Sequence, residues 1–396
     1  MNTFNHPKHI EITPARRVES VEEYYFSVKL KEIAAMNAQG ADVINLGIGS
    51  PDLPPSGETV KALCESAVLP KNHGYQSYIG IPQLRDGFAA FYKRHYGVEL
   101  NPANEILPLM GSKEAVMHIS MAFLNEGDGV LVPNPGYPTY ASVSKLVGAN
   151  IIPYSLKEES GWKPDLQALE QADERGEISL SGVKLMWCNY PNMPTGANGS
   201  VELFEKLVRF GRKHQIMICH DNPYSFILND NPLSILSVPG AKDICIELNS
   251  MSKTFNMPGW RIGMAASNKQ FIEWILRVKS NMDSGMFLPM QMAAVEALKA
   301  PDSWYKEMTA VYLKRRALAT AILEKVGAVV RKDQVGLFLW GKVEGACGRE
   351  ICDKVLYGSK VFLTPGFIFG SEGEQYIRIS LCANEATLEK ALLRLQ

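Results

Sequence analysis

Seven short apolar runs, spread through the middle of the chain and separated by amphipathic stretches, constrain this sequence more than any other feature. They cover 106–110, 130–133, 150–155, 184–189, 216–220, 244–249 and 262–266, with helix-like segments such as 113–124 and 201–214 between them. Strand-length runs alternating with helical periods are the pattern of a sheet whose strands are mainly parallel and whose helices cover both faces. The runs are apolar almost throughout, as strands buried on both faces must be. The expectation is an α/β fold with a large, mainly parallel seven-stranded sheet between helices. After about residue 281 the pattern changes to a long helical stretch over 289–325, short strands at 328–331, 336–341 and 376–381, and a final helix at 385–395. This reads as a smaller α+β domain, with which the N-terminal segment, including a helix near 21–39, is expected to pack. The boundaries drawn are 1–48 for an N-terminal arm and part of the small domain, 49–284 for the large domain and 285–396 for the C-terminal small domain.

Bulk properties exclude several classes. With 396 residues, 46% of them hydrophobic and 21% charged, the chain can bury a large core without disulfide or metal staples. The net charge is −1 and the basic residues are scattered, so neither a nucleic-acid surface nor a polybasic membrane anchor is expected. Of the seven cysteines, Cys188, Cys219 and Cys245 sit inside apolar runs and read as small buried hydrophobes. Cys347 and Cys352 have no second pair at metal-binding spacing, so no metal site is expected. The odd count, without a disulfide pattern, fits a reducing compartment. Residues 1–14 are polar and lack the apolar core of a signal peptide, and no run is long enough to span a membrane. The expected location is the cytoplasm.

Most residues capable of chemistry fall just after the apolar runs, where open α/β sheets bind ligands. The segment from Ser250 to Gly263 places Lys253 beside Ser250 and Ser252, with Arg261 eight residues further on. A lysine can form a Schiff base with an aldehyde, and hydroxyls with an arginine fork can hold a phosphate; a solvated polar loop is the alternative. Gly111-Ser112-Lys113 follows a strand and opens a helix, whose free N–H groups suit a phosphate, although Ser112 would serve equally as a plain N-cap. Tyr137, in the turn Asn134-Pro135-Gly136-Tyr137-Pro138-Thr139-Tyr140, can stack on a flat heterocycle or fill a gap between loop and helix. Asn192, in a similar turn ending at Gly196, can donate to a phenolic oxygen or serve the turn itself. Asp221 ends a buried run and needs a partner there, since an unpaired buried carboxylate is costly. A protonated pyridine nitrogen would supply that partner, within reach of Tyr224; an N-cap role is the alternative. Arg378 lies inside the run Tyr376-Ile377-Arg378-Ile379-Ser380, where it would meet a substrate carboxylate or a structural acid. Together these are the parts of a pyridoxal 5′-phosphate enzyme acting on amino acids.

Over nearly its whole length the chain resembles the class I/II aminotransferases of the fold type I pyridoxal-phosphate family. Leu46 to Asp52 reads L-G-I-G-S-P-D, and Tyr75, Gly80, Leu84 and Arg85 fit a Y-x4-G-x3-L-R block. The G-S-K-E-A, N-P-G-Y-P, P-T-G, D-x-x-Y, S-x-S-K-x7-R-x-G and Y-I-R-I-S blocks follow in the family's order. The resemblance implies that Lys253 bonds to the cofactor aldehyde and later moves the proton at Cα, while Asp221 keeps the ring nitrogen protonated. It implies that Tyr224 and the asparagine of the P-T-G block contact the ring oxygen, and that Tyr137 stacks on the ring. Gly111, Ser112, Lys113, Ser250, Ser252 and Arg261 would hold the phosphate, and Arg378 the substrate α-carboxylate, with the Gly49 backbone nearby. Tyr75 would reach into a partner subunit's site, which implies a homodimer with shared active sites. One departure stands out: Met193 occupies the position of the usual asparagine before P-T-G and cannot make its hydrogen bond, which leaves Asn192 as the candidate donor.

The reaction expected is ping-pong transfer of an amino group from an L-amino acid to a 2-oxo acid such as 2-oxoglutarate or pyruvate. A lyase performing β-elimination on the same scaffold is the alternative, and a pyridoxal-phosphate-binding regulator without turnover a third reading. No second carboxylate-binding arginine is apparent. The block around Lys253 is similar to those of subgroups acting on alanine, methionine, aromatic or diaminopimelate-type amino acids.

Overall fold

The computed structural model describes residues 12–395; most of the polar N-terminal stretch therefore lies outside the described residues. Its strands, in chain order, are β1 (Ile44–Asn45), β2 (Ile106–Leu109), β3 (Gly129–Asn134), β4 (Asn150–Ser155), β5 (Val183–Asn189), β6 (Met217–Asp221), β7 (Cys245–Ser250), β8 (Gly263–Ala266), β9 (Ala328–Val330), β10 (Phe338–Val343), β11 (Val361–Phe362), β12 (Thr364–Pro365) and β13 (Tyr376–Ser380). The seven apolar runs become one seven-stranded sheet in the order β2-β8-β7-β6-β5-β3-β4. The neighbours from β7 through β6, β5 and β3 to β4 pair in parallel, and β8 runs antiparallel to both β2 and β7. The reversal has a use. The carboxyl ends of β2, β5, β6 and β7 lie along one edge, and β8 brings its amino end, just after Arg261, to that same edge.

Leu185, Met186, Trp187 and Cys188 on β5, and Ile218 and Cys219 on β6, are fully buried, as their continuous apolarity requires. The helix Val201–His214 covers one face of this sheet with Leu203, Phe204, Leu207 and Val208. Ser200 caps it by accepting from the Leu203 N–H at 3.1 Å.

A second sheet, antiparallel in the order β12-β13-β10-β9, carries Arg378 on its inner strand β13, opposite Trp340 on one side and Thr364 on the other. The N-terminal segment joins these C-terminal elements. Strand β1 pairs in parallel with β11, and Phe26 and Ile33 of the helix Tyr25–Ala38 pack with Val43, Leu356 and Phe362.

The single long helix expected over 289–325 is two helices, Leu288–Ala297 and Asp302–Lys325. The break falls before Pro301, whose ring pushes the preceding residue out of the helical region. The helix Gly348–Ser359 and the two-residue strands β11 and β12 were not anticipated. Strands that short carry no periodicity to read.

Candidate active site

The strand ends, the helix Ser112–Phe123 and Arg378 enclose a cavity of about 640 Å³. Four cations line it (Lys113, Lys253, Arg261 and Arg378) against a single carboxylate, Asp221. None of the four pairs with a carboxylate among the described residues. Such an excess at the edge of a sheet calls for anionic ligands.

One end of the cavity is an anion cup. Gly111 takes φ +89°, a conformation open to glycine, and starts the helix at Ser112. A Cβ on Gly111 would collide with the Arg261 guanidinium, so the missing side chain is what lets that cation lie against the helix N-terminus. Arg261 donates to the Pro258 carbonyl at 2.9 Å and reaches Ser252 Oγ at 3.4 Å; Ser252 Oγ in turn lies 3.0 Å from Ser250 Oγ. Guanidinium, two hydroxyls and free helix N–H groups converge as a phosphate requires.

Lys253 sits in the short helix Met251–Thr254 and donates from Nζ to the Gly49 carbonyl. Burial holds its ammonium below the usual lysine range, and Arg378 and Arg261 push the same way. Asp221, at the end of β6, is 5% exposed. Its Oδ2 accepts from the Tyr140 hydroxyl at 2.7 Å, whereas its buried Oδ1 has no partner. Burial pushes its pKa up to about 6, although the Tyr140 hydrogen bond and the nearby His220 pull it down. An orphaned buried carboxylate oxygen calls for a hydrogen-bond donor, and a protonated ring nitrogen is one that also matches its charge. A pyridine ring with a phosphate arm supplies that donor and fills the anion cup, so the residues present fit pyridoxal 5′-phosphate.

Tyr137 lines the cavity half-buried, its ring edge-on to Tyr140 at 5.4 Å between centroids. Tyr224 is buried beside Phe338 and also lines the cavity. Arg378, 4% exposed, lies 4.0 Å over the Phe338 ring and 4.7 Å over the Phe369 ring and donates to the Gly47 carbonyl at 2.7 Å. Its Nε is buried without a partner, and burial lowers its pKa to about 10. A guanidinium clamped between aromatic faces, with donors still to satisfy, suits a planar carboxylate.

One expected residue is placed elsewhere. Asn192 does not line the cavity: its Oδ1 accepts from Thr195 Oγ1 at 2.7 Å and its Nδ2 donates to the Asn189 carbonyl at 3.2 Å, so the turn consumes its amide. The turn does not shift to replace the missing asparagine. Met193 itself faces the cavity and puts its sulfur 3.1 Å from Arg378 Nη1. Tyr75, expected to serve a partner subunit's site, is 95% exposed and does not line the cavity of its own chain. Several lining residues were missed. Tyr24, Phe26, Ser27 and Leu30 bring the N-terminal segment over the cavity, and no motif marks them. Tyr140, stacked on Trp187 at 5.0 Å, was visible as the second tyrosine of the turn read for Tyr137. Asn189 spends its amide on the Asp221 carbonyl at 2.7 Å.

Comparison with known proteins agrees with this geometry. The family model for aminotransferase class I and II matches residues 41–395. An LL-diaminopimelate aminotransferase of Oleidesulfovibrio alaskensis is 41% identical over 97% of this chain and 99% of its own length. One from Dehalococcoides mccartyi is 40% identical over 96% and 97%. Among solved structures, substrate-bound BacF of Bacillus subtilis superposes with a TM-score of 0.90 at 35% identity, covering 98% of this chain and 97% of its own. A single mutant of Thermus thermophilus aspartate aminotransferase superposes with a TM-score of 0.88 at 25% identity, covering 97% and 99%. Fold, cofactor fit and full-length kinship converge: the chain belongs to the class I and II aminotransferases, and it is a pyridoxal 5′-phosphate-dependent transaminase of amino acids.

Proposed function

We propose that Lys253 is the residue that holds the cofactor and carries the transferred proton, and that the donor is an amino acid with a charged distal end, of the diaminopimelate type. The observation that carries the first part is the placement of Lys253, Asp221 and Arg378 around one cavity with a phosphate-sized anion cup. When bound, the cofactor supplies an electron sink that makes the substrate Cα–H acidic. Lys253 then acts as the base at Cα. Burial disfavours its ammonium, so the free amine needed for that step is accessible. Arg378 holds the α-carboxylate and so fixes the Cα–H toward Lys253. Asp221 would face the ring nitrogen as a carboxylate, and Tyr24, Phe26 and Leu30 line the cavity from the N-terminal segment. Tyr137 would stack on the ring, Tyr224 would contact its oxygen, and Gly111, Ser112, Ser250, Ser252 and Arg261 would hold the phosphate. The acceptor is a 2-oxo acid such as 2-oxoglutarate or pyruvate.

Two observations support the donor class. Relatives about 40% identical over nearly the full chain are named LL-diaminopimelate aminotransferases. Lys113 stands at the cavity rim with its Nζ 5.3 Å over the Tyr24 ring and no acidic partner, placed for a distal carboxylate.

Three wider readings belong with this proposal. The exposed Tyr75, Tyr78, Val68, Leu69, Phe287 and Met292 fit a homodimer interface through which Tyr75 reaches the partner's site. The chain divides into a large unit over 49–284 and a small one built from 1–48 and 285–396. Seven free cysteines fit a reducing compartment, the cytoplasm; no helix among the described residues is long and apolar enough to cross a membrane.

The test is a donor panel with the purified enzyme. LL-diaminopimelate is expected to convert the visible absorbance of the lysine-bound cofactor to the near-ultraviolet band of its aminated form, and a 2-oxo acid to restore it. A faster exchange with alanine or an aromatic amino acid would overturn the donor class, and an unchanged spectrum with every donor would overturn the role of Lys253.

A further inference from the structure

Successive side chains of a strand point to opposite faces of a sheet, so His220 lies on the face of β6 away from the Asp221 carboxylate. It is fully buried, and so is Glu247, its register partner on β7. His220 Nε2 lies 2.9 Å from the Tyr190 carbonyl. A carbonyl only accepts, so this nitrogen carries a hydrogen. His220 Nδ1 lies 2.9 Å from Glu247 Oε2. Four other donors converge on Glu247: the Tyr92 hydroxyl at 2.7 Å, Ser234 Oγ at 2.9 Å, the Ile235 N–H at 2.9 Å and Asn222 Nδ2 at 3.5 Å. With these groups donating to it, Glu247 is the acceptor on the His220 side as well, so Nδ1 donates and both ring nitrogens act as donors.

We propose that His220 is a positioning residue for Asp221: a buried imidazolium, fixed on Glu247, whose charge keeps the Asp221 carboxylate anionic from behind the sheet and tightens its hold on a protonated ring nitrogen. This rests on the reading that Asp221 faces the ring nitrogen. The groups acting on Asp221 from the surrounding elements are Tyr140, Ser112, Tyr137, Tyr224 and Cys188, which are neutral, and the charged pair His220 and Glu247. Burial acts most strongly and favours the neutral carboxyl. The Tyr140 hydrogen bond and then His220 act against burial, with Glu247 opposing them more weakly. His220 is therefore the cation that offsets burial from the side the ligand never touches.

The experiment measures equilibrium binding of pyridoxal 5′-phosphate and of its deaza analogue, in which carbon replaces the ring nitrogen, to the wild type and to His220→Gln. The wild type is expected to prefer the nitrogen-containing ring. His220→Gln is expected to shrink that preference about tenfold, the equivalent of one pKa unit at Asp221, with affinity for the deaza analogue unchanged. Equal weakening toward both ligands would mark a purely structural role and overturn the proposal, as would an unchanged preference. A wild type with no preference would overturn the Asp221 reading and this inference with it. Should His220→Gln fail to fold, ¹⁵N spectra of histidine-labelled wild-type holoenzyme decide: two protonated nitrogens on His220 are expected, and a neutral ring would overturn the proposal.

Discussion

Asp221 shows what a buried carboxylate with an unpartnered oxygen costs a protein. Its carboxyl has a pKa pushed up to about 6 by burial, against an ordinary 3.8. Between those values the cofactor-free native state keeps a proton that the unfolded chain gives up. The associated stability is fully present below about pH 4 and is lost as pH rises through about 6, on the order of 3 kcal/mol. Asp221→Asn removes that loss. Thermal melts of the cofactor-free variant are expected to exceed wild type above pH 6 and to match it near pH 4; a constant offset across the range would contradict the assignment. Lys113 gives a second prediction. Lys113→Met is expected to raise KM for diaminopimelate about tenfold, the loss of one exposed charge-assisted contact, and to leave alanine unchanged; equal effects on both donors in steady-state assays would count against a distal-carboxylate site. At this scale legibility followed sequence position. Asp221 and Arg378 could be noticed because each is a charged residue at or inside a buried strand, and Lys253 because two serines and an arginine flank it just after one. The hydroxyl that Tyr140 gives to Asp221 comes from 81 residues away, and the Glu247 that fixes His220 from 27 residues away. No local pattern encodes either pairing.

The loop between β1 and the helix Gly57–Ala67 matters more than its lack of regular structure suggests. Its Gly47 carbonyl accepts from Arg378 and its Gly49 carbonyl from Lys253. One anchor of the loop is Asp52, which receives the Arg315 guanidinium at 2.6 and 3.0 Å. Arg315 is 1% exposed and comes from the helix Asp302–Lys325. Removing one partner of a buried ion pair costs about 3–5 kcal/mol. The Asp52 side chain is 32% exposed, so Asp52→Ala is expected near the lower end, about 3 kcal/mol by urea denaturation. Its amino-acid KM should rise as the two carbonyls lose their fixed positions; a variant with wild-type stability would refute the latch. The elements themselves were legible where a strand is buried on both faces, as at β5 and β6. The motif L-G-I-G-S-P-D was legible as a block, but its tether to Arg315, 263 residues away, was not.

For the molecule as a whole, shared active sites make a sharp prediction. If Tyr75 serves the partner's site, neither Lys253→Ala nor Tyr75→Ala should be active alone. Mixed and re-equilibrated, the two are expected to recover up to about a quarter of wild-type activity, because hybrid twofold dimers carry one intact site; a mixture as inactive as its parts would refute sharing. The overall architecture was readable from the seven apolar runs, and so was the packing of the N-terminal segment on the C-terminal elements, whereas the pairings that join them were not. That closure has a consequence for biosynthesis. Gly47 and Thr364, joined through a hydroxyl and a carbonyl, are 317 residues apart in sequence. At ribosomal speeds of about 5–20 residues per second, the N-terminal segment waits roughly 15–60 seconds for the strands it must dock on. Throughout that interval Phe26, Ile33 and Val43 have no surface to cover them, and the cavity has no roof. The nascent chain can build its central sheet early, yet Arg378 and the docked N-terminal segment complete the cavity only in the last moments of translation.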